Sequence, residues 1–139
     1  MKQNKRAFTM IEMVFVIVVL GILSAIAIPR FAATRADADI TKGRADVAAV
    51  RSAIVSERQS RLIKGQTNYI ANLDSGTKLF GAVLQYGITA AAKDGHWNGT
   101  SPNYTFRVQG TDVGFTYDDV NGTFYCTSNC SKGFKDFEE

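Results

Sequence analysis

The sequence predicts an α+β chain, with one long N-terminal helix packed on a small antiparallel three-stranded sheet. Three observations predict it. An uncharged run from Met13 to Ile28 passes without a turn signal into a stretch of helical apolar spacing. From Tyr104 onward the apolar period switches to two, punctuated by turn residues. Cys126 and Cys130 stand at the end of that stretch, where a small core benefits from a staple. The 139 residues are one domain's worth of chain, and 45% hydrophobic against 21% charged residues excludes a disordered one. A net charge of +3 is too small to imply nucleic acid by bulk electrostatics. One His, two Cys, no Gly-rich phosphate loop, no Ser/His/Asp set and no HExxH leave enzyme chemistry nothing to stand on.

The charges ahead of Glu12 are Lys2, Lys5 and Arg6. The sixteen uncharged residues from Met13 to Ile28 make a helix of about 24 Å, and a start at Phe8 lengthens it to about 31 Å. The hydrocarbon core of a bilayer is about 30 Å thick. The segment therefore spans it with Glu12 near one end, and the three cations hold that end in the cytoplasm. A secretory signal peptide cut after Ala25-Ile26-Ala27 fits the same residues. Glu12 asks for more than either reading supplies. A carboxylate costs roughly 2.5–3.5 kcal/mol at the centre of a membrane helix and less near an end. Its candidate partners are Lys5, Arg6 and a free amine made by cutting the chain just before Phe8. The alternatives are a Glu12 that snorkels to the headgroups or stays protonated.

The run Lys5-Arg6-Ala7-Phe8-Thr9-Met10-Ile11-Glu12, followed by the long apolar helix, resembles the leader and N-terminal motif of type IV pilins and of the pseudopilins of type II secretion systems. The resemblance implies cleavage by prepilin peptidase between Ala7 and Phe8, N-methylation of Phe8, and pairing of Glu12 with the Phe8 amine of a neighbouring subunit in a filament. It also implies a helix kinked or locally melted between Gly21 and Pro29. That family usually has Gly before the scissile bond, where this chain has Ala7. The chain then divides into a leader (1–7), a transmembrane and assembly helix (8–29), an amphipathic helix of the head (30–64) and a globular α+β head (65–139). Removing Lys2, Lys5 and Arg6 takes the net charge from +3 to 0, so the basic surplus is a topology signal.

Beyond Pro29 the helical pattern resumes, as it does when a proline bends a helix without ending it. Ile40, Val47, Val50 and Ile54 form one narrow apolar stripe, Ala45, Ala48, Ala49 and Ala53 fill between them, and charges occupy the rest. Gly43 reads as a weak point worth about 1 kcal/mol relative to Ala. Joined, the two parts make one helix from Phe8 to about Lys64, on the order of 85 Å long. Residues 30–64 carry eight basic and four acidic side chains, and residues 65–139 five basic and eight acidic. That opposition suits the helix of one subunit meeting the head of the next.

Gly65 stops the helix. Residues 72–77 have loop chemistry, and Leu79, Phe80, Val83, Leu84 and Ile88 predict a short helix within Lys78–Ala92. Lys93–Asn103 reads as loop, with Trp97 a lid on the core. Three strands follow: Tyr104–Val108, Val113–Tyr117 and Thr123–Cys126. Gln109-Gly110-Thr111-Asp112 forms the first turn between them and Asn121-Gly122 the second.

Cys126 and Cys130 reach disulfide spacing if Thr127-Ser128-Asn129 turns back on itself, and a compartment outside the membrane would oxidise them. Free thiols and a metal site with His96 are the rival readings. Asp118, Asp119 and Asn121, with Asp112 nearby, make an oxygen-rich turn. They are weak calcium candidates, because the alternating oxygens of a calcium loop are missing. Asp119-x-Asn121-x-Thr123 is also a glycosylation sequon, although turn chemistry explains Asn121 without sugar.

The resemblance implies a structural subunit of a type II secretion pseudopilus, stored as a single-pass protein of the bacterial inner membrane with its head in the periplasm. From there it would be extracted into a periplasm-spanning filament that supports protein export. Its partners would be further copies or other pilin-like subunits, the prepilin peptidase and N-methyltransferase, the inner-membrane assembly platform and the membrane itself, with no cofactor. A type IV pilus or competence (DNA-uptake) pilin is the alternative, followed by a periplasmic protein released by signal peptidase after Ala27. No basic-aromatic patch points to nucleic acid.

Overall fold

The computed structural model describes residues 8–138. Its first element is helix α1, Met10–Ile63. The helix begins at Met10 and not at Phe8, because Thr9 serves as its N-cap. The Glu12 N–H donates to Thr9 Oγ1 (3.3 Å) and to the Thr9 carbonyl (3.1 Å). The helix continues through Gly21 and through Pro29. It stops where the glycine predicts. Gly65 takes φ +78°, its N–H donates to the Leu62 carbonyl (3.0 Å), and the Gln66 N–H donates to the Arg61 carbonyl (2.9 Å). That pair of bonds is a Schellman closure, and the left-handed conformation at its hinge is one that glycine adopts without a Cβ penalty.

Contacts divide the chain into two compact units, the first ending at Arg35 and the second starting at Ala36. In the first, nearly every apolar side chain from Phe8 to Ile28 is exposed, and the helix is long and apolar enough to cross a membrane. In the second, one stripe of α1 is buried: Ala36, Gly43, Val47, Val50 and Ile54, with Ile40 half-buried among them. The steps alternate between three and four residues, so the stripe keeps to one side of a 3.6-residue helix. The structure corrects two details here. Ala45, Ala48 and Ala49 do not fill in beside the stripe; they face outward and are exposed. Gly43 is a point of close approach, since a Cβ there would come to 2.6 Å from Phe106 Cε1 and 2.8 Å from Phe134 Cζ.

Six strands follow. Strands β1 (Lys78–Leu79) and β2 (Ile88–Thr89) pair antiparallel. Strands β3 (Trp97–Thr100), β4 (Asn103–Val108), β5 (Thr111–Asp118) and β6 (Thr123–Ser128) form an antiparallel meander in chain order. The sheet is therefore four-stranded, not three-stranded, and a separate two-stranded sheet stands beside it. The additional strand lies inside the predicted loop. Only Trp97 of Trp-Asn-Gly-Thr points into the core, and Asn and Gly are poor strand formers, so no alternation announces it. The predicted helix within Lys78–Ala92 is absent. Phe80 is fully buried at φ +58°, a conformation no helix contains, and its N–H donates to Asp74 Oδ1 (2.9 Å). The apolar spacing there records burial of a folded-back segment, not a helical period.

Alternation does hold in the other three strands. Tyr104, Phe106 and Val108 on β4, Val113, Phe115 and Tyr117 on β5, and Phe124 and Cys126 on β6 are all buried on one face. Gln109 (φ +48°) and Gly110 (φ +72°) make the tight β4–β5 turn, with the primed geometry that matches strand twist. Trp97 is wholly buried at the centre of this core and is not a lid: Phe80, Phe106, Phe115 and Phe124 surround its ring at centroid distances of 5.1–6.1 Å. After β6, Cys126 and Cys130 form a disulfide with their Cα atoms 6.0 Å apart. The turn between them is made by Asn129 at φ +55°, whose side chain donates to the Asp112 carbonyl (2.9 Å). The segment beyond carries Phe134, fully buried, and a 3₁₀ turn at Lys135–Phe137.

Candidate assembly site

The residues that the sequence marks for assembly lie at the start of α1. Phe8 is 73% exposed, and Glu12 is exposed in the first turn, where the helix dipole favours a carboxylate. Thr9 is the residue that sequence reasoning missed. Thr9-x-x-Glu12 has the spacing of a capping box, and the structure forms the half in which Thr9 Oγ1 accepts from the Glu12 N–H. In a lipid-facing helix the first amides have no water to turn to, so a cap built into the chain matters more there than at an aqueous helix end. Gly21 has open space where a Cβ would stand, and the backbone at Pro29 is helical. The expected scissile position, Ala7, and the leader cations Lys2, Lys5 and Arg6 lie outside the described residues.

A family model for the prokaryotic N-terminal methylation motif matches residues 2–28. This chain carries the prokaryotic N-terminal methylation motif. No curated protein and no solved structure matches the chain. The motif supports a type IV pilin-like protein. It implies processing by prepilin peptidase and assembly into filaments, and together with the exposed apolar helix it fits a membrane-anchored protein. The match ends at Ile28, so the rest of the chain speaks through its own geometry.

In the second unit, the charged side chains that the sequence suggested for contacts between subunits are largely engaged within the chain. Arg44 donates to the Gly133 carbonyl (2.7 Å) and pairs with Asp136 (2.8 Å). Arg51 donates to the Phe124 carbonyl (2.7 Å), and both guanidinium groups sit over the Phe137 ring at 5.1 and 4.9 Å. Lys42 donates to the Gly95 carbonyl (2.6 Å), and Arg58 stacks on Tyr69 at 4.4 Å. Two carboxylates do similar work. Asp46 accepts from the indole N–H of Trp97 (2.9 Å), which answers the one polar atom of the central core side chain. Asp74 accepts from the N–H groups of Phe80 (2.9 Å) and Ser101 (2.8 Å) and from the Tyr104 hydroxyl (2.9 Å), fastening three separate segments. Residues 72–77 read as loop in the sequence, and no local signal marks Asp74 as the fastener.

The acidic turn between β5 and β6 is organised by its own hydrogen bonds. Asp118 accepts from the Val120 N–H (2.9 Å) and from Asn121 Nδ2 (2.8 Å), and the backbone bond from Val120 leads the causes that hold its carboxyl below the ordinary value. Among the described residues, no group of three or more His, Cys, Asp or Glu side chains converges. Cys126 and Cys130, the rival metal ligands, are spent on each other.

Two buried tyrosines give the head an alkaline limit. Burial, followed by the charge of Asp119, pushes the Tyr117 hydroxyl up to about 12, and burial raises Tyr104 further still. An acid whose pKa is higher folded than unfolded supports the fold while it is protonated. That support is complete below the ordinary tyrosine value of 10.0 and drains away as the pH climbs toward about 12. Circular dichroism across this window should show the head unfolding, with delayed tyrosinate absorbance appearing in step. A head still folded well above that window, with every tyrosine ionised, contradicts the assignment.

Proposed function

We propose that this chain is a structural subunit of a type II secretion pseudopilus, cut before Phe8, N-methylated there and polymerised through α1 to support protein export. The observation that carries the reading is the methylation motif, which includes an exposed carboxylate, Glu12, at the first turn of a membrane-length apolar helix. In the membrane, Glu12 is the charge in need of a partner, and the freed Phe8 amine of an adjoining copy is a cation delivered at the same depth. Arg44, Arg51 and Arg58 are not disposed for phosphate contacts. All three guanidinium groups lie against aromatic rings of their own head, and Arg44 and Arg51 also bond its carbonyls, where phosphate contacts would need them free.

Mass spectrometry of the mature N-terminus tests the processing step. Methylated Phe8 is the expected first residue, and a chain starting at Ile28 overturns the reading in favour of a released periplasmic protein. Deleting the gene then separates the two filament roles. Exported proteins retained in the periplasm support the secretion reading, whereas intact export with lost DNA uptake assigns the subunit to a competence pilus.

A further inference from the structure

We propose that Asn98 is a site of spontaneous deamidation, converted to aspartate and isoaspartate by attack of the Gly99 backbone nitrogen on its side-chain amide. The chain contains two Asn-Gly pairs, Asn98-Gly99 and Asn121-Gly122. They have the same covalent chemistry and opposite surroundings.

Asn98 and Gly99 are both exposed and lie in β3, an outer strand of the four-stranded sheet. In an antiparallel ladder, alternate residues turn their backbone polar groups away from the partner strand. The Trp97 carbonyl accepts from the Ala91 N–H (3.0 Å), away from β4, so Gly99, two residues along, also turns outward. Its N–H donates instead to Oδ1 of its own neighbour Asn98 at 2.8 Å. The contact sets the future nucleophile against the carboxamide it must attack. At φ +113°, Gly99 brings no side chain to hinder the approach. Holding reacting groups this close supplies much of what a bimolecular reaction pays in entropy.

At the second pair both reacting groups are tied elsewhere. Asn121 Nδ2, the leaving group, donates to Asp118 Oδ2 (2.8 Å), and the Gly122 N–H donates to the Asp118 carbonyl (2.8 Å). The Tyr69 ring also closes over Gly122.

The chemistry needs only water and hydroxide. Hydroxide removes the Gly99 amide proton, and the nitrogen forms a bond to Asn98 Cγ. The Cγ–Nδ2 bond breaks, and Nδ2 takes a proton from water and departs as ammonia. Water then opens the five-membered succinimide at either carbonyl, giving aspartate or isoaspartate. Each event adds one negative charge to the exposed edge of the sheet, and isoaspartate also lengthens the backbone one residue from Trp97. The inference rests on the head alone and stands whether or not the chain forms filaments.

The test is a time course on the full chain, purified in detergent and aged at mildly alkaline pH, with peptide mass spectrometry at both sites. Asn98 is expected to lose ammonia at least about tenfold faster than Asn121. Part of its product should be a substrate for isoaspartyl methyltransferase. In urea the two rates should converge, because the contrast belongs to the fold. Asn98→Gln should abolish modification at 98 and leave the rate at Asn121 unchanged. Equal rates in the folded protein, a faster Asn121, or a contrast that survives in urea overturns the proposal.

Discussion

Glu12→Val is expected to abolish filament incorporation while leaving the chain in the membrane. Removing a carboxylate from the mouth of a membrane helix relieves up to roughly 2.5–3.5 kcal/mol of insertion cost, so the anchor itself gains. The N-cap survives as well, since the bond to Thr9 Oγ1 comes from the backbone N–H of residue 12 and not from its side chain. What disappears is the group proposed to hold the amine of an adjoining Phe8. An unpaired ammonium left in hydrocarbon costs several kcal/mol, which is enough to empty the assembled state. Membrane fractionation should recover the variant at wild-type levels, and crosslinking should find it as single chains. Wild-type levels of crosslinked multimers would show that the proposed pairing is wrong.

Gly43→Ala is expected to destabilise the head, against the direction that helix propensity gives. In an ordinary exposed helix the exchange gains about 1 kcal/mol. Here the added carbon lands 2.6 Å from one ring and 2.8 Å from another, and both Phe106 and Phe134 are fully buried. Overpacking of this kind typically costs about 1–3 kcal/mol, which exceeds the propensity gain over most of its range. Thermal unfolding of the head should shift down, by about 4–8 °C for each net kcal/mol. Ala45→Gly, on the exposed side of the same helix, is the matched comparison and should lose only the propensity term of about 1 kcal/mol. A Gly43→Ala head that melts higher than the parent would show that the rings move aside at no cost.

Elements whose cause is local are legible in the sequence. The buried stripe through Val47, Val50 and Ile54, the stop at Gly65, three of the four meander strands, the turns between them and the Cys126–Cys130 bridge all follow from period, turn chemistry and spacing. Elements whose cause lies far along the chain are not. β3 exists because β4 offers it a register, and the polypeptide around Phe80 is bent by a carboxylate six residues earlier. Gly43 looks like a defect until Phe106 and Phe134 arrive on top of it. The charges of α1 look like a solvated face, yet Arg44, Asp46 and Arg51 reach sideways to the sheet and to the C-terminal segment. At the candidate assembly site the balance tips toward legibility. Phe8, Thr9 and Glu12 fall within five consecutive positions, so both motif and cap can be read directly, although the cap is found only by asking what satisfies the first amides of the helix.

The meander also sets an order of events. Each strand of the larger sheet finds its partner next in line along the polypeptide, so those pairings close short loops and form early. The clasp of Arg44 on Asp136 and of Arg51 on Phe137 joins positions 92 and 86 residues apart, the span of nearly the whole head. Closure entropy delays such a contact until the rest is in place. The tail is therefore the last part to dock and the first to lift, and amide exchange should report its opening well before the sheet lets go.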